Sequence, residues 1–513
     1  MNFAFISMIL ISNHFLEDGY LMNEEIDKKG KPNVIMAVLP LVITIVLLIY
    51  LVVIKGGAPH IAIICAIAVT ALMSRFRGYH WKEMLDSMVK AASTTLPTMG
   101  IVMLIGMLVG SWVITGTVPL LIVYGFKVIS PGFFLPTVLL VSALISLATG
   151  TSWGTLGTIG LAFMGIGAGI GVPAYLTAGA IVSGAFFGDK VSPLSDTTNF
   201  CSGLVGVNLY KHIVQMMPST IPAMVISFIL YWVLGMEYAG AEISTAGTEE
   251  IVTALTTTFK LSPVLLLPPV VVIVLAVKKV PPLPTMFSGI LIATILAVIT
   301  QGAGLEAILG TVMYGYWSNT GVEIVDTLLS KGGLNSMLWI AALMILAVAF
   351  SGLLQLTRSI EVLIETVVSF VRGIGSAVVS ASVSMLLLIY TSDLYIAYTV
   401  TARVFSPVFR GKGYSGTNVS RILENSGTMM TALVPWGAAG VYVTAMLGVP
   451  TLKYAPVAFA CWLPLIFDAL WGFSGKFLPK ATDEEKEEWV QEDRLIARDG
   501  QLIPASQLKV SQL

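Results

Sequence analysis

Charged side chains are scarce in this 513-residue chain: they make up 11% of it, against about 25% in an ordinary soluble domain, while 56% is hydrophobic. That excludes a disordered protein and argues against a soluble one. Neither sign dominates, since 28 Lys and Arg face 29 Asp and Glu for a net charge of −1, so the phosphate-neutralising surplus of a nucleic-acid binder is missing. Cysteine is rarer still. Cys65, Cys201 and Cys461 are too few and too scattered for a disulfide framework or a thiolate metal site, and they read as small apolar packing residues. None of the four histidines, His14, His60, His80 and His212, stands with a second His or Cys at metal-ligand spacing. No base accompanies Ser152 in its neighbourhood, so an intramembrane enzyme is disfavoured. No cofactor is implied.

What the chain has is hydrophobic length. From Pro97 to Gly188 the only charged residue is Lys127, and a charge at the bilayer centre costs roughly 2.5–3.5 kcal/mol on insertion scales. A span needs about 20 apolar residues, so this stretch holds several. The fold class is an all-α polytopic membrane protein. Apolar runs bounded by Pro, Gly or charge predict spans near Val34–Ile54, Ile61–Ser74, Leu96–Thr115, Phe133–Leu147, Thr155–Ile170 and Ile213–Leu234. A second set falls near Val264–Val277, Phe287–Thr300, Leu338–Leu354, Ala377–Ile389, Leu394–Phe409, Thr431–Leu447 and Val457–Phe473. Pro119–Ile129 and Ala178–Phe187 read as re-entrant or broken pieces, which gives about 11–13 crossings.

The chain divides into an N-terminal extension (1–32), a first membrane repeat (33–236), a polar linker (237–260), a second membrane repeat (261–477) and a polar tail (478–513) expected to be a solvated helix. Met22 resembles a natural start, so the first 21 residues read as an extension of little consequence. The halves echo each other. "LPLVITIVLLIYLVVIK" around Pro40 recurs as "LPPVVVIVLAVKK" around Pro268, and Thr151-Ser152 recurs 240 residues on as Thr391-Ser392. Basic loops swap between halves: Arg75, Arg77 and Lys82 answer a loop without basic residues at Gln301–Glu306, while Arg403, Arg410, Lys412 and Arg421 answer an uncharged Gly165–Gly171. Because Lys and Arg concentrate in cytoplasmic loops, this pattern predicts inverted-topology repeats with an external linker and cytoplasmic N- and C-termini. Such repeats mark secondary transporters, whose site lies at the repeat interface.

The candidate chemistry clusters there. "ATGTSWGTLGTIG" (Ala148–Gly160) either packs helices through its glycines or breaks a helix so that Thr151 and Ser152 face a cation. Its counterpart "YTSDLY" (Tyr390–Tyr395) adds Asp393 beside Thr391 and Ser392. "FFGDKVSPLSDTTNF" (Phe187–Phe200) carries Asp189, Ser192, Ser195, Asp196, Thr197, Thr198 and Asn199, and Gly188 with Pro193 predicts a break that brings them to one polar cavity. Lys190 could instead neutralise one aspartate. The second half places Glu424, Asn425, Ser426 and Thr428 before Pro435, with Arg421 near enough to pair with Glu424. Hard cations want such oxygen ligands, and a carboxylate can exchange its cation for a proton. The transported sodium ion is assigned to Asp189, Asp196 and Asp393. Glu323, Asp326, Glu361 and Glu365 have surroundings polar enough for solvation.

At these residues the sequence resembles the NhaC family of sodium/proton antiporters, within the wider ion-transporter superfamily; "FGDKVSPLSDTTN" is similar to its signature, and the resemblance covers about Val34–Phe477. It implies residence in the bacterial inner membrane, secondary transport with sodium ions and protons as cargo, and a homodimer in the lipid bilayer. The family also contains sodium-coupled malate/lactate exchangers, so an organic-anion exchanger is the alternative. That reading wants a cationic or amide clamp, for which Lys190, Asn199 and Asn425 are the nearby candidates.

Overall fold

The computed structural model describes residues 31–55, 57–93, 96–128, 130–238, 245–278, 280–391, 394–498 and 501–508. The first 30 residues, with the alternative start at Met22, lie outside them. The chain opens on α1 (Val34–Leu48), capped by the Asn33 side chain, which accepts from the Met36 N–H at 2.8 Å. It continues through α2 (Pro59–Phe76), the amphipathic α3 (Trp81–Ser93), α4 (Leu96–Thr115), α5 (Thr117–Val128) and α6 (Phe134–Thr149). The first half closes with α7 (152–169), α8 (Ala174–Val191), α9 (Asp196–Val205) and the 28-residue α10 (Leu209–Met236).

The second half holds α11 (Thr245–Thr258), α12 (Leu267–Val277), α13 (Pro282–Leu296), α14 (Leu305–Tyr314), α15 (Glu323–Leu329), α16 (Leu334–Leu356) and α17 (Ser359–Val368). After these come α18 (Ile374–Thr391), α19 (Leu394–Gly411), α20 (417–431), α21 (Ala438–Leu447), α22 (Thr451–Tyr454) and α23 (Phe459–Ser474). Each of the thirteen apolar runs overlaps a helix, although Thr431–Leu447 is split by a non-helical stretch. Among the described residues six helices are long and apolar enough to cross a membrane by themselves, and nine spans result if each bent pair is one. The remaining helices near the site carry the charge that the chemistry needs, so hydropathy alone does not mark them: α8 holds Asp189 and Lys190, and α20 holds Arg421 and Glu424. The α4–α5 pair bends by 71° at Gly116, so the bend comes before the piece expected at Pro119–Ile129, whose residues 119–128 run within the single helix α5.

Helix order in the two halves corresponds. Phe134 and Ile374, Ala174 and Thr417, and Leu209 and Thr451 begin matching helices about 240 residues apart, and interruptions fall at Pro193 and Pro435. The core runs through both halves, joining Val138, Leu139 and Ile181 of the first to Met429, Tyr442 and Cys461 of the second.

Several expectations need correction. Ala178–Phe187 belongs to one unbroken helix, α8, because Gly184 and Gly188 let it lie against α6: a Cβ at either would stand 2.2 Å from a carbonyl oxygen, of Leu139 or of Ala143. Ser146 donates to the Ala185 carbonyl at 2.6 Å across the same contact. Thr431–Leu447 is not one helix, since the chain unwinds at 432–437 around Pro435. The linker is not merely polar: its helix α11 buries Ile251, Ala254 and Leu255 in a cluster with Val118, Ile122 and Val123 of α5. Residues 239–244 lie outside the described set.

The tail also departs from a plain helix. After α24 (Asp483–Gln491), capped reciprocally by Thr482 and Glu485, a hairpin forms from β1 (Leu495–Arg498) and β2 (Gln501–Pro504). It docks on the body. Arg410 of α19 donates to the Leu495 carbonyl at 3.2 Å, Arg494 to the Val205 carbonyl at 3.0 Å, and Ser415 to Glu485 at 2.7 Å.

Candidate functional site

Two interruptions in the first half touch. α6 ends at Gly150 in the left-handed region, φ 71°, and a Cβ there would meet the Leu194 backbone at 2.7 Å. Thr151 then starts α7 as its N-cap, and the Ser152 N–H, freed at the helix start, donates to Asp189 Oδ2 at 3.0 Å while the Ser152 hydroxyl donates to the same oxygen at 2.6 Å. Asp189 reaches this point from the last turn of α8, whose end at Val191 is followed by the break 192–195. The break expected from Gly188 and Pro193 is present, although the helix runs on through Gly188. Asp189 Oδ1 is buried without a hydrogen-bond partner. A buried carboxylate oxygen left open in this way costs free energy unless something cationic fills the gap.

In the second half α20 carries a π-turn at Glu424–Thr428, a distortion common at functional sites. The Thr428 hydroxyl donates to Glu424 Oε2, and the Tyr398 hydroxyl stands 2.5 Å from Thr428 Oγ1. Glu424 Oε1 is again buried without a hydrogen-bond partner, as is Ser426 Oγ. Cys201 of the first half flanks Glu424, and Asp189 lies close enough for the two carboxylate charges to act on each other. Contacts between the halves fix this arrangement: Tyr442 donates to the Trp153 carbonyl at 2.5 Å, with their rings stacked 4.3 Å apart.

The remaining candidates separate into those near the open carboxylates and those elsewhere. Ser195 and Thr197 pair with each other at 3.0 Å beside Asp189, Ser192 donates to the Leu147 carbonyl at 2.8 Å, and Thr198 to that of Lys190 at 2.9 Å. Asp196 does not join one cavity with them. It is exposed at the start of α9, and Tyr395 donates to it at 2.6 Å. Asn199 is exposed too, and its amide closes the break by donating to the carbonyls of Pro193 and Ser195. Ser392 and Asp393 lie outside the described residues; Thr391 ends α18. Among the described residues no group of three or more His, Cys, Asp or Glu is placed to hold a metal ion. A sodium shell here would draw on hydroxyl and carbonyl oxygens beside each carboxylate.

Both open alternatives about charge pairing resolve against the candidates' neighbours. Lys190 does not turn to Asp189: its ammonium crosses to the second half and donates to Asn425 Oδ1 at 2.7 Å. Arg421 does not pair with Glu424 but stands 3.1 Å from Asp468 Oδ1, an ion pair by distance whose angle falls short of a hydrogen bond. Asp468 is fully buried and was not foreseen, although it is the lone acid in the apolar run Val457–Phe473, a visible signal. Of the poorer candidates Glu323 is exposed, while the other three have structural duties. Lys31 binds Glu361 at 2.8 Å and also Glu365, which is buried rather than solvated. Ser318 and Thr320 donate to Asp326 from the loop before α15 and hold its carboxyl below the usual carboxylate range.

Broken helices, a core shared by the two halves and apolar spans mark a polytopic membrane protein, with open buried carboxylates at the junction of its halves. The profile of the Na+/H+ antiporter family matches residues 29–197 and 184–476, and the chain belongs to that family. It is 34% identical over 419 residues to a Na(+)/H(+) antiporter NhaC of Alkalihalophilus pseudofirmus, covering 81% of this chain and 90% of the relative. Similarity to an arginine/ornithine antiporter of Halobacterium salinarum is 35% identity over 470 residues, 91% of this chain and 97% of the other. A malate-2H(+)/Na(+)-lactate antiporter of Bacillus subtilis is 35% identical over 402 residues, 78% and 86% of the two chains.

Proposed function

We propose that the protein is a secondary transporter that exchanges sodium ions for protons by alternating access. The observation that carries this reading is the pair of buried, open carboxylate oxygens, Asp189 Oδ1 and Glu424 Oε1, one from each half. Each can take a proton or share a sodium ion with nearby hydroxyls, Ser152 and Ser195 on one side and Thr428 on the other, so the two cargoes compete. Rocking of inverted repeats would carry this junction from one face to the other. The bacterial inner membrane, cytoplasmic termini and a homodimer complete the reading, the termini supported by Arg75, Arg77 and Lys412 in the loops.

The rival reading, sodium-coupled exchange of an organic anion, is supported by the relative named for malate and lactate, and another relative is named for arginine and ornithine. For an organic anion the site offers little, because the Lys190 and Asn425 clamp is already committed to its own partners. Purified protein in proteoliposomes decides between them. A sodium pulse should release protons from acid-loaded vesicles with no organic solute present, and a proton flux that needs malate, lactate, arginine or ornithine would sink sodium/proton exchange.

A further inference from the structure

The buried polar residues next to the open carboxylates form a chain that the exchange reading does not use. Asp468 of α23 is its node: Oδ1 accepts from Ser219 of α10 at 2.6 Å and faces Arg421, and Oδ2 accepts from the Asn425 amide at 2.8 Å. Asn425 in turn accepts from Lys190 through its own carbonyl. The chain crosses between the halves twice, at Ser219–Asp468 and at Lys190–Asn425. Its two ends abut the site in sequence, since Lys190 follows Asp189 and Asn425 follows Glu424. Lys190, Arg421, Glu424, Asn425 and Asp468 are all fully buried.

An ammonium in a dry interior seeks the nearest carboxylate. Asp468 and Glu424 are the two carboxylates near Lys190, and it is Asp468 that Asn425 links to it by hydrogen bonds. Resting on the exchange reading, we propose that Asp468 is a positioning residue which, acting through Asn425, holds the Lys190 ammonium off Glu424 and so leaves that carboxylate to the transported cation. Asn425 is the required spacer, because its amide donates to Asp468 while its carbonyl accepts from Lys190, passing the acid's charge along. Without that charge Lys190 swings to Glu424 and competes with sodium as a tethered cation.

The test is the kinetics of sodium-driven proton release by full-length protein in proteoliposomes. Asp468→Asn should raise the KM for sodium about tenfold with kcat held within twofold, and adding Lys190→Met should bring KM back to within threefold of wild type. Rescue by a second lesion in one buried cluster is what a merely structural role would not give. A double variant no better than the single, or a fall in kcat at constant KM, overturns the proposal. If Asp468→Asn fails to accumulate, Asn425→Ala with and without Lys190→Met replaces it, with the same expected rise and rescue and the same overturning result. Wild-type protein that moves no protons with sodium would defeat the exchange reading and this inference with it; normal wild-type exchange without rescue defeats this inference alone.

Discussion

The two halves share a frame but not a site. In the first half the acid stands at a helix end: Asp189 is four residues before Pro193 and is held by the start of α7, at a corner where two interruptions meet. In the second half the interruption at Pro435 carries no acid, and Glu424 sits eleven residues earlier in a π-turn of a continuing helix, served by its own Thr428. Helix order and breaks thus correspond between the halves while the chemistry differs. One carboxylate is held by the backbone N–H and hydroxyl at the start of another helix, the other by a side chain one turn away on its own helix, so they should respond differently to change.

The largest difference expected is in stability. Gly188→Ala drives a Cβ to 2.2 Å from the Ala143 carbonyl, whereas at Gly427 the first atoms met belong to side chains, the Tyr398 ring carbon Cε1 at 2.5 Å and Met385 Cε at 2.6 Å. Overpacking costs roughly 1–3 kcal/mol, and Gly188→Ala should lie at or above the top of that range with Gly427→Ala near the bottom, read as thermal unfolding in detergent. Equal losses would mean that the close α6–α8 contact is not special.

Next come the acids themselves. Asp189→Asn and Glu424→Gln should each cut sodium-dependent proton movement about a hundredfold or more at normal expression, since an amide keeps the shape but cannot hold a proton as cargo. A silent substitution at either position would reduce the site to one half. Hydrogen bonds to charged groups contribute about 1.5–3 kcal/mol, so Ser152→Ala should weaken apparent sodium affinity about tenfold. Thr428→Val, which removes the only hydrogen bond that Glu424 Oε2 receives from a hydroxyl on its own helix, should match it. The smallest effect belongs to Asp196→Asn, because that residue is exposed and bound to Tyr395: exchange should stay within threefold of wild type. A hundredfold loss there would put Asp196 back among the cation ligands.

The frame was legible because it is local: apolar length marks helices, and Gly or Pro beside polar residues marks their breaks, which located Gly150–Ser152, Ser192–Ser195 and the acids Asp189 and Glu424. Direction was not legible. Lys190 looked like a partner for Asp189, its neighbour in sequence, yet its ammonium bonds Asn425, 235 residues away. Asp196 shares the polar motif with Asp189 but starts a new helix that points it outward. Asp468 was missed because a single acid near the end of an apolar run reads as a boundary until the opposing helix face supplies Ser219, Arg421 and Asn425.

The docked tail gives the order of synthesis a meaning. Val205 and Arg410 have left the ribosome long before residues 483–504 emerge, and Arg410 meets both the Leu495 carbonyl and the Trp489 ring only once they do. Insertion of the helices is therefore not the end of biogenesis. The last turn of α19 gains its outermost contacts only when α24 and the hairpin fold back over it, a late closing step at which a truncated nascent chain differs from a finished one even though every membrane helix is in place.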